Sequence, residues 1–378
     1  MKIAVPAETQ SGESRVAATP ETVKRYIALG ATVAVEAGAG ERSYLADEAY
    51  REAGATIATD RSSLLKDADV VLAVRRPSAD DIAMMKAGAA AIALMDPWSD
   101  RAGIDAMAER GLVAFAMELM PRITRAQSMD VLSSQANLAG YKAAIDAAAT
   151  FGRAFPMMMT AAGTIPPARV FVMGAGVAGL QAIATAKRLG AIVSATDVRR
   201  AAEEQAKSLG ANFVMVESGE DLETAGGYAK EMSEDYQRRQ AELIAETVKK
   251  QDVVITTALI PGRPAPTLLT REMVESMKPG SVIVDLAVER GGNCALSKPG
   301  ETVEHNGVTI IGHLNMAGRL AGNASQLYAK NLQNFLELMI DADTGTLKVN
   351  WEDEIVQGTA LTRDGKVVHP MLAEGADA

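Results

Sequence analysis

The chain has 378 residues, 48% hydrophobic and 23% charged, a soluble globular balance in a length that exceeds one compact core, so two domains are expected. Thirty-eight Lys and Arg against 48 Asp and Glu leave a net charge of −10, which argues against nucleic-acid binding and electrostatic docking on anionic lipid. One cysteine, Cys294, and three scattered histidines, His305, His313 and His369, exclude a disulfide framework and a thiolate or histidine metal motif. Glu8 interrupts the N-terminus before a signal-peptide core forms. The uncharged stretch Phe155–Ala168 is broken by Pro156, Pro166 and Pro167, well short of the roughly 20 apolar residues of a membrane span. The chain is therefore expected to be cytoplasmic.

Short apolar runs alternate with longer helical patterns, the mark of parallel α/β layers. Strands are expected at Lys2–Pro6, Thr32–Glu36, Val70–Val74, Ala89–Met95 and Leu112–Ala116. Between the first two, Thr19 reads as an N-cap, Pro20 as the first helical residue and Gly30 as the stop. This segment is doubly wound, yet it has no glycine-rich phosphate loop.

The stretch Met117–Gln135 is dense in polar groups and falls at the C-terminal edge of the first sheet, where open α/β folds bind ligands. Arg122, Gln127, Asp130 and Ser133 are suited to holding a carboxamide and ribose. The alternative reading is a helix start capped by Ser128 or Asp130. A long helix over Leu132–Phe155, lined with Ala139, Ala143, Ala144, Ala147 and Ala148, then leads into the second domain.

A strand at Ala168–Met173 runs into Gly174-Ala-Gly176-Val177-Ala178-Gly179 and a helix over Leu180–Leu189. Strand, GxGxxG and helix together define a dinucleotide turn: Gly174 for the tight bend, Gly176 for approach to pyrophosphate, Gly179 for helix–strand packing. Val177 and Ala178 open the helix, whose free N–H groups suit the phosphates. Asp197 lies 23 residues after Gly174, at the tip of the strand Ile192–Asp197, where a carboxylate accepts the ribose hydroxyls. Val198 and Arg199 follow it. Arg199 and Arg200 are the residue type that holds a 2′-phosphate, but the position of Asp197 favours NAD(H).

Further strands are expected at Asn212–Val216, Asp252–Thr256, Ser281–Asp285 and Thr309–Gly312. The charged stretch Glu217–Glu246, with Gly226, Gly227 and Tyr228, reads either as a solvated helix with a loose start or as a mobile lid over a cofactor. A helix over Ala324–Ile340 presents Leu327, Leu332, Phe335, Leu336 and Met339, which need a partner. The tail returns to the first domain and carries a tight Asp364-Gly365 turn. The expected architecture is α/β: two doubly wound Rossmann-like domains with parallel sheets, joined by long helices. The first is discontinuous, residues 1–137 plus 325–378; the second is residues 138–324.

Oxidation of an alcohol or amine moves a proton with each hydride and requires a positioned base. His305 precedes an Asn-Gly turn, His369 lies in the tail, and only His313 falls at a strand end that faces the expected cleft. Hydride exchange between two nicotinamides needs no proton, only two aligned rings.

At these residues the chain resembles the NAD(H)-binding component of proton-translocating nicotinamide nucleotide transhydrogenases. The most specific blocks are Ala116–Ser134, Pro156–Gly163, Glu223–Met232, Thr256–Gly262 and Asp285–Asn293. The resemblance implies that Arg122, Gln127 and Asp130, with Ser133, contact the nicotinamide and its ribose. It matches Gly174 to Gly179 to the family's glycine loop, Asp197 to its ribose acid, Tyr228, preceded by Gly227, to its mobile-loop tyrosine, and Leu259 to a contact near the adenosine. It further implies a homodimer docked on a membrane-embedded partner with an NADP(H)-binding domain, at the inner membrane. There hydride passes from NADH to NADP⁺ as protons cross. One departure is Asn315-Met-Ala317-Gly318-Arg319, where the family usually shows a proline.

Alanine dehydrogenase is similar too. Its substrate-binding arginine resembles Arg15, its catalytic lysine would fall near Arg75, and its histidine would fall in Ala93–Trp98, which contains none. An NAD-dependent amino-acid dehydrogenase and a non-catalytic NAD(H) sensor are the alternative readings.

Overall fold

The structure, a computed structural model, describes residues 1–216, 233–260, 262–341 and 343–372. It divides into two compact units, Met1–Gln135 with Gly318–Ala378, and Ala136–Ala317. The chain crosses between them twice, inside the helix Val131–Thr150 and in the 3₁₀ turn Ala317–Leu320.

The first unit is built on β1 (Lys2–Val5), β2 (Thr32–Glu36), β3 (Thr56–Ala58), β4 (Val70–Arg75), β5 (Ala90–Leu94) and β6 (Val113–Ala116). These six are parallel, in the order 6-5-4-1-2-3. Alternate residues go to opposite faces: Ile3, Val5, Leu72 and Val74 join Tyr26, Tyr328 and Phe335, while Ala4, Val71 and Ala73 join Leu65, Met85 and Met107. Both faces are covered, which is why these strands read as continuous apolar runs. Thr19 and Thr22 form a reciprocal capping box at the helix Pro20–Ala28.

The sheet is not wholly parallel. The tail strand Ala360–Arg363 pairs antiparallel with β6, and Lys366–Val367 folds back on it. Asp364 (φ 51°) and Gly365 (φ 74°) make the connecting turn, both left-handed as a two-residue hairpin requires. Buried Thr362 fills the register shift: its hydroxyl donates to Leu112 O (2.7 Å) and accepts from Ala114 N–H (3.0 Å).

The second unit holds a two-stranded ribbon, β7 (Met158–Thr160) and β8 (Gly163–Ile165), and a seven-stranded sheet. The sheet comprises β9 (Arg169–Met173), β10 (Ile192–Thr196), β11 (Asn212–Phe213), β12 (Val253–Thr256), β13 (Val282–Asp285), β14 (Thr302–His305) and β15 (Val308–Ile311), in the order 11-10-9-12-13-15-14. All pairs are parallel except β14–β15. Val170, Val172, Val253 and Ile255 pack on one face with Ala143, Ala144 and Ala147 of the long helix; Phe171, Met173, Val254 and Ile283 pack on the other.

Several expectations need adjusting. Each large sheet has one antiparallel edge: β14–β15 and the tail hairpin return through short turns that leave no room for a crossover helix, while the tail strand itself reaches β6 from the far end of the chain. The expected strand to Val216 stops at Phe213, and the helix expected to reach Phe155 ends at Thr150. The helix assigned to Ala324–Ile340 runs Ala321–Glu337; Leu332, Phe335, Leu336 and Met339 enter the first unit's core, whereas Leu327 is solvent-exposed.

Candidate functional site

In the second unit, β9 turns into the helix Val177–Arg188 through the three glycines. Gly174 takes φ +102°, and a Cβ there would meet Thr257 Oγ1 at 2.5 Å. A Cβ on Gly179 would lie 1.8 Å from Gly174 O, so that glycine is demanded by the turn itself. Gly176 differs. A Cβ there would find only an Arg199 nitrogen, at 4.0 Å, so packing leaves its side open. Gly176 is also the helix N-cap and provides no side-chain acceptor, which leaves the first-turn N–H groups at Val177 and Ala178 available to an anion. These residues fit a pyrophosphate.

Asp197 follows β10 and is already engaged. Its Oδ2 accepts from Ala175 N–H (2.8 Å) and Arg199 NH2 (2.9 Å); its Oδ1 accepts from Arg199 N–H and Arg199 Nε (both 2.9 Å). Val198 turns away and packs with Val216. Across the turn, Thr257 donates its N–H to Met173 O (2.9 Å) and its hydroxyl to Gly174 O (3.1 Å). Leu259 and Ile260 follow with 48% and 38% exposure, an apolar surface beside the glycine turn. Gly227 and Tyr228 lie outside the described residues.

In the first unit, the loop after β6 consists of two 3₁₀ turns, Met117–Leu119 and Thr124–Met129. Buried Ala126 and Met129 fix its inner side. Arg125 makes a bidentate pair with Asp353 (2.7 and 2.8 Å), and Ser128 O accepts from the amides of Asn331 (2.8 Å) and Asn334 (3.0 Å). Arg122 and Gln127 stand exposed on this anchored loop. Asp130 accepts from Ser133 N–H (2.9 Å) and from the Ser133 hydroxyl, so it caps the long helix, as the alternative reading of this stretch expects. Asp130 and Ser133 are thus brought together, with Gln127 one turn ahead.

A second charged cluster in this unit joins Arg15 and Arg75, the two positions the alanine dehydrogenase resemblance singles out, through Glu13, which sequence reasoning did not mark. Buried Arg15 donates Nε and NH2 to Glu13 (2.7 Å each) and NH1 to Gln135 (2.9 Å); Arg75 Nε reaches the same Glu13 (2.7 Å). Burial alone would raise the Glu13 carboxyl, but the hydrogen bonds and charge of Arg15, supported by Arg75, hold it at about 2. Burial, against the Val74 N–H bond, pushes Glu8 up to about 7. Glu8 lines a cavity of about 170 Å³ with Arg61, Arg75, Arg76 and Asp81.

The histidines have local partners. His305 pairs with Glu275 (2.8 Å), and His313 lies 3.5 Å from Asp146. Burial lowers the His369 pKa, and its ring bonds Gly358 O and Met371 N–H. Among the described residues, no group of His, Cys, Asp and Glu could hold a metal ion.

An α/β fold with a glycine turn of the dinucleotide-binding type is thus in place. The alanine dehydrogenase/PNT N-terminal domain matches residues 4–139 and its C-terminal domain matches residues 143–370, and the chain belongs to this family. Within it, the chain is 57% identical over 379 residues to an NAD(P) transhydrogenase subunit alpha chain of Rhodospirillum rubrum, covering 98% of this chain and 99% of that one. The crystal structure of a transhydrogenase from Sinorhizobium meliloti superimposes with a TM-score of 0.89 at 59% identity, covering 97% and 100%. The alanine dehydrogenase of Halomonas elongata is more distant, 30% identical over 388 residues, covering 99% of this chain and 96% of that one.

Proposed function

We propose that this chain binds NAD(H) in its second unit and exchanges hydride with NADP(H) held by a partner subunit, as the NAD(H)-binding component of a proton-translocating transhydrogenase. The observation that carries the reading is the open side of Gly176 above an uncapped helix N-terminus, a cradle that the protein's own packing does not fill. The N–H groups at Gly176, Val177 and Ala178 hold the pyrophosphate. Asp197 receives the adenosine ribose once Arg199 shifts, Leu259 lies against the base, and Gly227 and Tyr228 contact the nucleotide.

Arg122, Gln127, Asp130 and Ser133 contact the nicotinamide and its ribose. Bound there, the reduced cofactor supplies a hydride, and transfer between two nicotinamide rings calls for no proton exchange with this chain. The loop's work is therefore orientation, for which its anchors at Asp353, Asn331 and Asn334 suit it.

No helix among the described residues is long and apolar enough to cross a membrane. The transhydrogenase reading assigns the proton path to membrane-embedded partner subunits, with this chain attached peripherally at the inner membrane. A homodimer is supported by the ribbon β7–β8, exposed along both strands, with Met159 79% exposed.

The decisive experiment adds the purified protein to membranes stripped of their peripheral transhydrogenase component. Restored NADH-to-NADP⁺ transhydrogenation is expected. NADH oxidation by the isolated chain with pyruvate and ammonia would instead establish the amino-acid dehydrogenase reading; tight NADH binding without hydride transfer would establish a sensor.

A further inference from the structure

Asp285, the last residue of β13, and Asn293, beyond it, are both fully buried, and the hydride chemistry uses neither. Asp285 gathers four donors: the Thr256 hydroxyl (3.1 Å), Ala287 N–H (3.0 Å), Cys294 N–H (3.0 Å) and the Ser297 hydroxyl (2.7 Å). These bonds fold the following turn back on itself and fix Asn293 at its far end. The Asn293 amide then bonds at three points. Oδ1 accepts from Ala258 N–H (2.9 Å), and Nδ2 donates to Ala258 O (2.9 Å) and Pro266 O (2.8 Å).

Two of those bonds satisfy both backbone groups of Ala258, as a neighbouring strand would. β12 has ended at Thr256, so residue 258 takes from a side chain what a ladder no longer supplies. Its neighbours are the two residues that meet the glycine turn and the solvent beside it: Thr257, bonded to Gly174 O, and the exposed Leu259.

We propose that Asn293 is a positioning residue for the adenosine side of the nucleotide site, holding Ala258 so that Thr257 stays against Gly174 and Leu259 faces the base. The proposal rests on the second unit's being the NAD(H) site. The position requires one acceptor and two donors on one planar group, which asparagine has; aspartate retains the acceptor alone. The residue touches no nucleotide, and its effect passes through the loop.

The test compares NADH, ADP-ribose and reduced nicotinamide mononucleotide by calorimetric titration of the full chain, wild type against Asn293→Ala and Asn293→Asp. ADP-ribose carries the adenosine half, and the mononucleotide lacks it. In the variants, Kd for NADH and ADP-ribose should rise about tenfold or more, with the mononucleotide changed less than about twofold. The Ala258 amide should exchange faster while circular dichroism is unchanged. Unchanged ADP-ribose binding would overturn the proposal, as would an equal loss for all three ligands or failure of both variants to fold. A wild-type chain that binds no NADH would overturn the site assignment itself, which separates the two failures.

Discussion

Arg199 is folded onto Asp197, its Nε and NH2 each 2.9 Å from a carboxylate oxygen. With Ala175 N–H and Arg199 N–H, four donors converge on a group that has about four acceptor sites. On the function proposed above, the ribose diol would displace the guanidinium. Asp197→Asn should weaken NADH binding by about tenfold or more and narrow the preference for NADH over NADPH, because a neutral amide neither attracts the diol strongly nor repels a 2′-phosphate. Fluorescence titrations with both nucleotides measure the ratio, and an unaltered ratio would leave Asp197 a partner of Arg199 and the glycine turn alone.

Gly176 and Gly179 should separate binding from folding. Gly176→Ala meets only an Arg199 nitrogen, at an ordinary 4.0 Å, so the melting temperature should stay within about 2 °C while NADH affinity falls sharply. Gly179→Ala drives a methyl into Gly174 O and should destabilise the second unit by several kcal/mol, about 3 or more. Equal melting curves for the two variants would contradict this assignment.

Gln127 is exposed between anchored neighbours, and its amide both donates and accepts. Gln127→Asn retracts the amide by one methylene on a loop that cannot follow. NADH affinity should remain within a few-fold, while hydride transfer in the reconstituted enzyme drops by about a hundredfold. Stopped-flow transfer rates at saturating nucleotide test this, and an unchanged rate removes Gln127 from the role.

Glu8 and Glu13 should tilt stability in opposite directions. Glu8 is raised to about 7 from 4.5, so the folded chain holds its proton longer than the unfolded one, and its contribution is lost as pH rises from about 4.5 to 7. Glu13 is lowered to about 2, so its contribution is lost as pH falls from about 4.5 toward 2. Glu8→Gln should flatten the first slope and leave the second. Urea midpoints from pH 3 to 8 provide the comparison, and a variant with the wild-type slope above pH 5 would refute the assignment.

Met159 on the exposed ribbon is the place to interrupt self-association. Met159→Asp should shift a sedimenting dimer toward monomer with the fold intact, because a charge on an apolar contact is costly to desolvate. A dimer of undiminished stability would move the interface elsewhere.

What the sequence revealed was local in its physics. The N-cap at Thr19, the Asp364-Gly365 turn and the close approach of Gly179 to Gly174 each depend on atoms within a few residues, so residue type alone announces them. Remote pairings were silent. Gln135 meets Arg15 across 120 positions, and Asn293 reaches Ala258 across 35, and nothing in either residue type marks the partner. The helix period placed Leu327 with its apolar neighbours, although tertiary contacts bury the stripe without it. The short strands β3 (Thr-Ile-Ala) and β14 (Thr-Val-Glu-His) lie at sheet edges and carry no continuous apolar run to mark them, unlike four-residue β1 or β13. The pairing of Asp197 with Arg199 could not be read either, because spacing locates a carboxylate without saying what already occupies it.

The antiparallel tail strand on β6 also bears on how the molecule is made. During synthesis the second unit is complete when residue 317 has emerged, and it can collapse around its own sheet. The first unit cannot. Arg125 waits through 228 further residues for Asp353, and Ala114 through 248 for Thr362. A nascent chain therefore forms the glycine turn well before it can anchor the Gln127 loop, and on the function proposed above half-made molecules would hold dinucleotide without presenting it for reaction.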